Sequence, residues 1–295
     1  GLAGTYMPGL QILNSRVNGY ERVRIVPFYA AAFTIGTAVS FATMSLISVT
    51  YEVSTAALIA SFSSIISLLI IFFLTSPQKP DNSPEIDRKK LNLGGLFLNR
   101  SNIAHTLAYA GHCFELFAYR AWIFALVVFI SFDKHALAAE AMGGLILAGI
   151  TVMGISSSVI GAYLCLSFER HITISNSGIL AFIIACLTVL FLKQESILAI
   201  VLLGAYYFSI SFISSSMTAG IVMNSHESSR GALLSVYSMI GFLGAMMGPI
   251  LVGLALDWSG GSYNITAWKF ALFTMSLGSI IVFLVQRWAL QKVRS

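Results

Sequence analysis

Eight apolar stretches, beginning at Ile25, Glu52, Ile103, Ala138, Ser177, Ser196, Ala232 and Ala267, follow one another along the chain. Each runs for about 20 residues or more, the length that a hydrocarbon core of ~30 Å demands of a helix. This pattern predicts an all-α polytopic membrane protein. Composition agrees, since hydrophobic residues make up 57% of the 295 and charged residues 10%, a balance that the surface of a soluble domain would not tolerate.

The charges that remain are ordered. Arg16, Arg22 and Arg24, then Lys79, Arg88, Lys89, Lys90 and Arg100, then Arg170, then Arg230, then Arg287, Lys292 and Arg294 fall in alternate connections, whereas Lys134, Lys193 and Lys269 are alone in the others. By the positive-inside rule the first set, and the carboxyl terminus with it, is cytoplasmic. The net charge of +5 then reflects loops that face anionic lipid head groups, and no nucleic-acid partner is expected. Cys113, Cys165 and Cys186 lie inside predicted spans, so neither a disulfide framework nor a metal-ligand spacing is indicated.

Gly1 to Leu13 would reach only roughly 20 Å as a helix, too short to span. With no initiator Met, and with neither the basic flank nor the small-residue cleavage site of a signal peptide, the chain is expected to be a fragment that opens in the closing half of a transmembrane helix. An internal repeat extends this reading. Arg22, Tyr29 and Gly36 stand seven apart, and Arg230, Tyr237 and Gly244 repeat the spacing 208 positions later, with Gly1–Ser15 corresponding to Ser209–Met223. Structural repeats of this kind are common in transporters. Three helices precede the second copy's counterpart of the opening segment, so roughly three helices are expected before Gly1, twelve in all.

With six plus six helices, a long polar middle connection over 76–102 carrying Pro77, Pro80, Pro84 and the run Arg88–Lys90, and a Gly-rich segment Gly241, Gly244, Gly248, Pro249, Gly253 and Asp257, the chain resembles the major facilitator superfamily of secondary transporters. The family's Gly-x-x-x-Asp-Arg-x-Gly-Arg loop pattern would fall at Gly161–His171. Gly161, Tyr163, Leu164 and Arg170 fit it, while Leu166, Ser167 and Glu169 replace its Asp, Arg and second Gly. The segment His112-x-x-Glu115-Leu116-Phe117-x-x-Arg120-x-Trp122 is similar to a poorly characterised branch of the same superfamily. The resemblance implies a two-bundle fold with a partial first half in 1–75, a cytoplasmic linker at 76–102 and a complete six-helix half at 103–295. It implies a monomer in a plasma membrane, the bacterial inner membrane being the expected one, with no cofactor.

Chemistry concentrates in the segment from Ile103, which holds His105, His112, Glu115 and Arg120. A charge near the bilayer centre costs at least a few kcal/mol, so such residues face a bundle interior or a wet cavity. Glu115 lies about 60° to one side of His112 around the helix, and Arg120 about 80° to the other. One broad groove can hold all three. Arg120 would grip an anionic group of the substrate with its planar fork, and Glu115 would take up and release a coupling proton. His112 would relay or tune it, because imidazole titrates near neutrality. In the bland alternative Glu115 and Arg120 neutralise each other and His112 satisfies a neighbouring hydroxyl.

Tyr207, Ser211 and Tyr237, with Tyr206, Ser209, Ser214–Ser216 and Ser238, offer hydroxyls to the same site, although small residues are equally expected where helices pack closely. Trp258, Tyr263, Trp268 and Trp288 are placed as interface anchors. Gly154-Ile155-Ser156 lacks the pattern around a hydrolase nucleophile, and a channel would show charge rings or a filter loop. The expected function is therefore secondary transport of a small solute, an organic or inorganic anion moved with protons. Efflux of lipophilic compounds and a non-transporting receptor or scaffold are the alternatives.

Overall fold

A computed structural model describes residues 20–75, 99–131, 136–224 and 230–291, together with Gly9, Ile12 and Leu13. Among these residues there are nine helices and no strand: α1 (Tyr20–Thr50), α2 (Val53–Leu74), α3 (Arg100–Ile130), α4 (Ala136–Ser167), α5 (Arg170–Phe191), α6 (Ile197–Ser211), α7 (Ser214–Met223), α8 (Arg230–Trp258) and α9 (Ile265–Leu290). With α6 and α7 counted as one, eight spans are long and apolar enough to cross a membrane. The all-α, polytopic character expected from the hydropathy is present.

Polar residues at the boundaries start several helices. The first backbone N–H groups of a helix have no partner within it, and Asn99, Glu169, Ser196 and Asn264 each accept one with a side-chain oxygen, for example Ser101 N–H to Asn99 Oδ1 at 2.9 Å. Asn99 thereby moves a predicted boundary. The helix expected from Ile103 begins at Arg100, so the last residues of the 76–102 linker are helical, and 76–98 lie outside the described residues. Glu169 moves another, since α5 starts at Arg170 and the stretch 161–167, expected in a loop, is the end of α4. There Gly161 allows close approach: a Cβ would run into the Phe212 carbonyl oxygen.

That contact also accounts for a departure from expectation in the segment from Ser196. One continuous helix was expected, and the chain breaks at Phe212 and Ile213, with Ile213 at φ −95° and ψ −5°. Side chains of α4 occupy the polar atoms on both sides of the break. Ser157 Oγ donates to the Phe208 carbonyl, and the Ser158 and Ser215 hydroxyls are 3.1 Å apart. Irregular backbone at membrane depth is tolerated where protein covers it in this way.

α3 is the central helix. It packs most extensively on α8 and α9, and also touches α4, α6 and α7. Glycine sets the approach of its main neighbours: Cβ atoms at Gly244 and Gly248 of α8 would strike the Ala110 and Phe114 carbonyl oxygens, and one at Gly111 would lie 2.9 Å from the Gly278 carbonyl oxygen of α9. Without a hydrophobic drive between helices in lipid, such backbone contact is what holds them. The apolar core runs through Tyr119, Ile123, Leu126, Leu203, Tyr206 and Trp268. Trp268, expected as an interface anchor, is 2% exposed and gives its indole N–H to the Ser262 carbonyl at 2.8 Å, whereas Trp258 and Tyr263 are open.

Before α3 the packing is looser. α1 lies along α4, where a Cβ at Gly144 would meet Ser45 and the Phe41 carbonyl. Ala56 is the buried residue of α2, and the large apolar side chains of that helix from Leu58 to Leu74 are exposed, an arrangement that hydrocarbon does not penalise. In the two segments of the sequence repeat, Tyr29 lies against Gly9 and Tyr237 bonds Thr218. Their glycines differ, because nothing lies within 4 Å of a Cβ at Gly36 while Gly244 is closed by α3.

Candidate functional site

Glu115 stands fifteen residues from either end of α3 (Arg100–Ile130), the position farthest from water that a spanning helix offers. It is 2% exposed. Tyr206 of α6 donates its hydroxyl to one carboxylate oxygen, and Ser279 Oγ of α9 donates to the other at 2.6 Å. Gly278 makes room for the group, since a Cβ there would sit 2.7 Å from Glu115 Cβ. A hydroxyl can donate or accept, so this pair of contacts serves a carboxylate and a carboxylic acid alike.

Arg120 lies on a different side of α3 and meets different neighbours. Its guanidinium carbon is 4.9 Å from the Phe33 ring centre on α1 and 5.9 Å from that of Phe117, and one terminal nitrogen is 3.2 Å from the Tyr207 hydroxyl. The side chain is half-buried, and its Nε has no hydrogen-bond partner among the described residues. Glu115 and Arg120 are therefore each held by a tyrosine, and those tyrosines are consecutive in α6. The groove predicted to bring Glu115, His112 and Arg120 together is instead divided: Glu115 turns to α6 and α9, Arg120 to α1 and α6.

His112 is buried, its Nδ1 has no hydrogen-bond partner among the described residues, and its ring is 6.4 Å from that of Tyr109. Tyr237 of α8 stacks on Tyr109 at 4.0 Å and bonds Thr218 at 3.1 Å, so it joins α8 to α3 and α7. Ser211 packs where a Cβ on Gly154 would be, 3.0 Å from it, which is a helix-crossing role. Tyr207 is buried and reaches Arg120.

A second polar cluster ties the basic end of the bundle. Gln286 of α9, wholly buried, accepts from His171 Nδ1 of α5 with its Oε1, gives an N–H to the Ala104 carbonyl at 3.3 Å and lies 3.4 Å from His105 Nδ1. The His105 and His171 rings stack at 4.6 Å, and Ser101 links His171 to Asn224 at the end of α7. Arg100, Arg170 and Arg287 surround this end and contact the Trp288 carbonyl, the Met223 sulfur and Asn176 respectively. Four helices are cross-linked there by side-chain hydrogen bonds and ring stacking.

Sequence reasoning passed over Ser279, Phe33 and Gln286, and counted Tyr206 only among the hydroxyls offered to the site. A signal was present in α9, where Ser276, Ser279 and Gln286 recur at helical spacing in an otherwise apolar segment. Among the described residues no three His, Cys, Asp or Glu side chains are grouped to hold a metal ion. No protein-family model matches the chain, and no curated protein matches it.

Proposed function

We propose that the chain belongs to a secondary transporter that moves a small organic or inorganic anion together with protons, by alternating access of a two-bundle, major-facilitator-type fold. The observation that carries this reading is Arg120: a fixed positive charge close to the middle of a spanning helix, faced by two aromatic rings and one hydroxyl, with no carboxylate against it among the described residues. A guanidinium has five donors and a fork that matches an anionic group. Intramembrane charges left without a counter-ion are expected where a ligand supplies one.

Glu115 provides the second half. A buried carboxylate bonded only to hydroxyls can gain a proton without breaking an ion pair. The repeated spacing of Arg22, Tyr29 and Gly36 in Arg230, Tyr237 and Gly244 supports the two-half architecture, and the gathering of Arg100, Arg170 and Arg287 at one end supports a cytoplasmic carboxyl terminus.

The test is ligand stabilisation of the intact protein in lipid nanodiscs, with small carboxylates, inorganic anions and lipophilic cations at pH 5.5 and 7.5. A ligand present at 100 times its Kd stabilises the folded state by about 2.7 kcal/mol. An anion should stabilise the wild type and not Arg120→Gln, and in proteoliposomes Glu115→Gln should abolish its accumulation down a proton gradient. Stabilisation by lipophilic cations, equal in Arg120→Gln, would replace this reading with efflux of lipophilic compounds.

A further inference from the structure

Two consecutive residues of α6 each hold one of the two functional groups of α3. Tyr206 donates its hydroxyl to Glu115, and the Tyr207 hydroxyl accepts from Arg120 at 3.2 Å. Both tyrosines are buried, and Tyr119 of α3 fits against both, its ring 5.8 Å from that of Tyr206 and 5.0 Å from that of Tyr207. Tyr119 itself is anchored by its hydroxyl on the Leu203 carbonyl at 3.0 Å. α6 ends four residues after Tyr207, at the break over Phe212 and Ile213, so the segment bearing both tyrosines is a short helix that is not continuous with α7.

We infer that Tyr206 and Tyr207 form the coupling element of the transporter, through which protonation of Glu115 and anion binding at Arg120 act on one helix. The inference rests on the proton and anion roles proposed above. When the carboxyl gains a proton on the oxygen that faces Tyr206, the hydroxyl there must change from donating to accepting, or withdraw. An anion arriving at Arg120 competes with Tyr207 for the same guanidinium N–H. Adjacent residues on a helix cannot move independently, so a shift of α6 that releases one tyrosine displaces the other.

The groups facing Glu115 leave few other routes for a pH effect. α6 presents Tyr206, α5 presents Cys186 behind it, and α3 itself carries His112, Tyr119 and Arg120. From α9 the facing groups are Ser279 and Gly278, and the Asp and Arg of α8 are at its ends. α4 and α7 pack on α3 as well, and their one acidic or basic residue, Glu140, is near the start of α4.

The experiment measures the affinity of the intact protein for the tightest binder among acetate, benzoate, malonate and phosphate, by calorimetry at pH 5.5 and 7.5, for the wild type, Tyr206→Phe, Tyr207→Phe, Arg120→Gln and Gly149→Ala. Coupling of ordinary strength gives the wild type an affinity about tenfold lower at the higher pH. Tyr206→Phe and Tyr207→Phe should each reduce that ratio to less than about twofold. Gly149→Ala in α4 has nothing within 4 Å of the added Cβ and leaves the contacts of Glu115 and Arg120 in place, so it should keep the ratio near tenfold.

Full pH dependence in both tyrosine variants, equal flattening in Gly149→Ala, or a wild type without pH dependence would overturn the coupling role and leave Arg120 as an anion site. Should Tyr206→Phe fail to fold, Tyr207→Phe decides, because it leaves the Glu115 contacts in place. If none of the four anions binds the wild type, or Arg120→Gln binds as well, the anion site itself fails and the coupling with it.

Discussion

Replacement of Gly278 by Ala, a change of one methyl group, should weaken the whole bundle. The methyl would meet Glu115 Cβ at 2.7 Å and, more closely still, the Gly111 carbonyl oxygen, where an ordinary contact needs 3.4–4 Å. Neither obstacle is the free end of a flexible side chain, so α3 and α9 must separate by about 1 Å, a gap that already forfeits a quarter to a half of each dispersion contact along the crossing. Overpacking of this kind costs about 1–3 kcal/mol, and the backbone nature of the clash places it at the upper end. Against that, Ala gains up to about 1 kcal/mol over Gly in a helix. The net expectation is a loss of about 2 kcal/mol.

Gly149→Ala in α4 is the matched control, because nothing lies within 4 Å of its Cβ, and it should be neutral or slightly stabilising. Unfolding by SDS in mixed micelles measures both. Gly111→Ala at the facing position should cost a similar amount, and the double variant less than the sum, since the helices need separate only once. Equal stability of Gly278→Ala and Gly149→Ala, or strict additivity of the pair, would refute the close-crossing argument.

Gln286→Leu should cost about 1–3 kcal/mol in the same assay, since the Ala104 carbonyl and the His171 ring would lose their buried partner, and backbone amides at the basic ends of α3, α5 and α9 should exchange faster. Trp268→Ala should cost about 3–5 kcal/mol, as expected for a large core side chain. An interface anchor would lose far less, so a change under about 1 kcal/mol would return Trp268 to that role.

The location of the candidate site was largely legible in the sequence. Ionisable residues in an apolar run are expensive enough that their presence marks a site, and α3 holds His112, Glu115 and Arg120 as the run from Ile103 suggested. Their grouping was not legible. Helical geometry allowed one groove for all three, but angular position on α3 says nothing about which helix stands opposite, and it is α6, α9 and α1 that divide them. Tyr206 and Tyr207 differ by one position and looked equivalent as hydroxyls, yet they serve different charges because consecutive side chains on a helix point about 100° apart.

By itself the sequence determined how many segments among the described residues are long and apolar enough to span, because the bilayer sets a local rule that each segment meets from its own composition. It also determined the capping residues, whose effect reaches only a few positions. Packing belonged to the tertiary structure. The break at Phe212 and Ile213 arises from Gly161, Ser157 and Ser158 of α4, about fifty residues away in the chain, and the burial of Trp268 from the helices around it. Hydropathy cannot tell a helix face that meets lipid from one that meets protein, since both are apolar, and only the assembled bundle makes that choice.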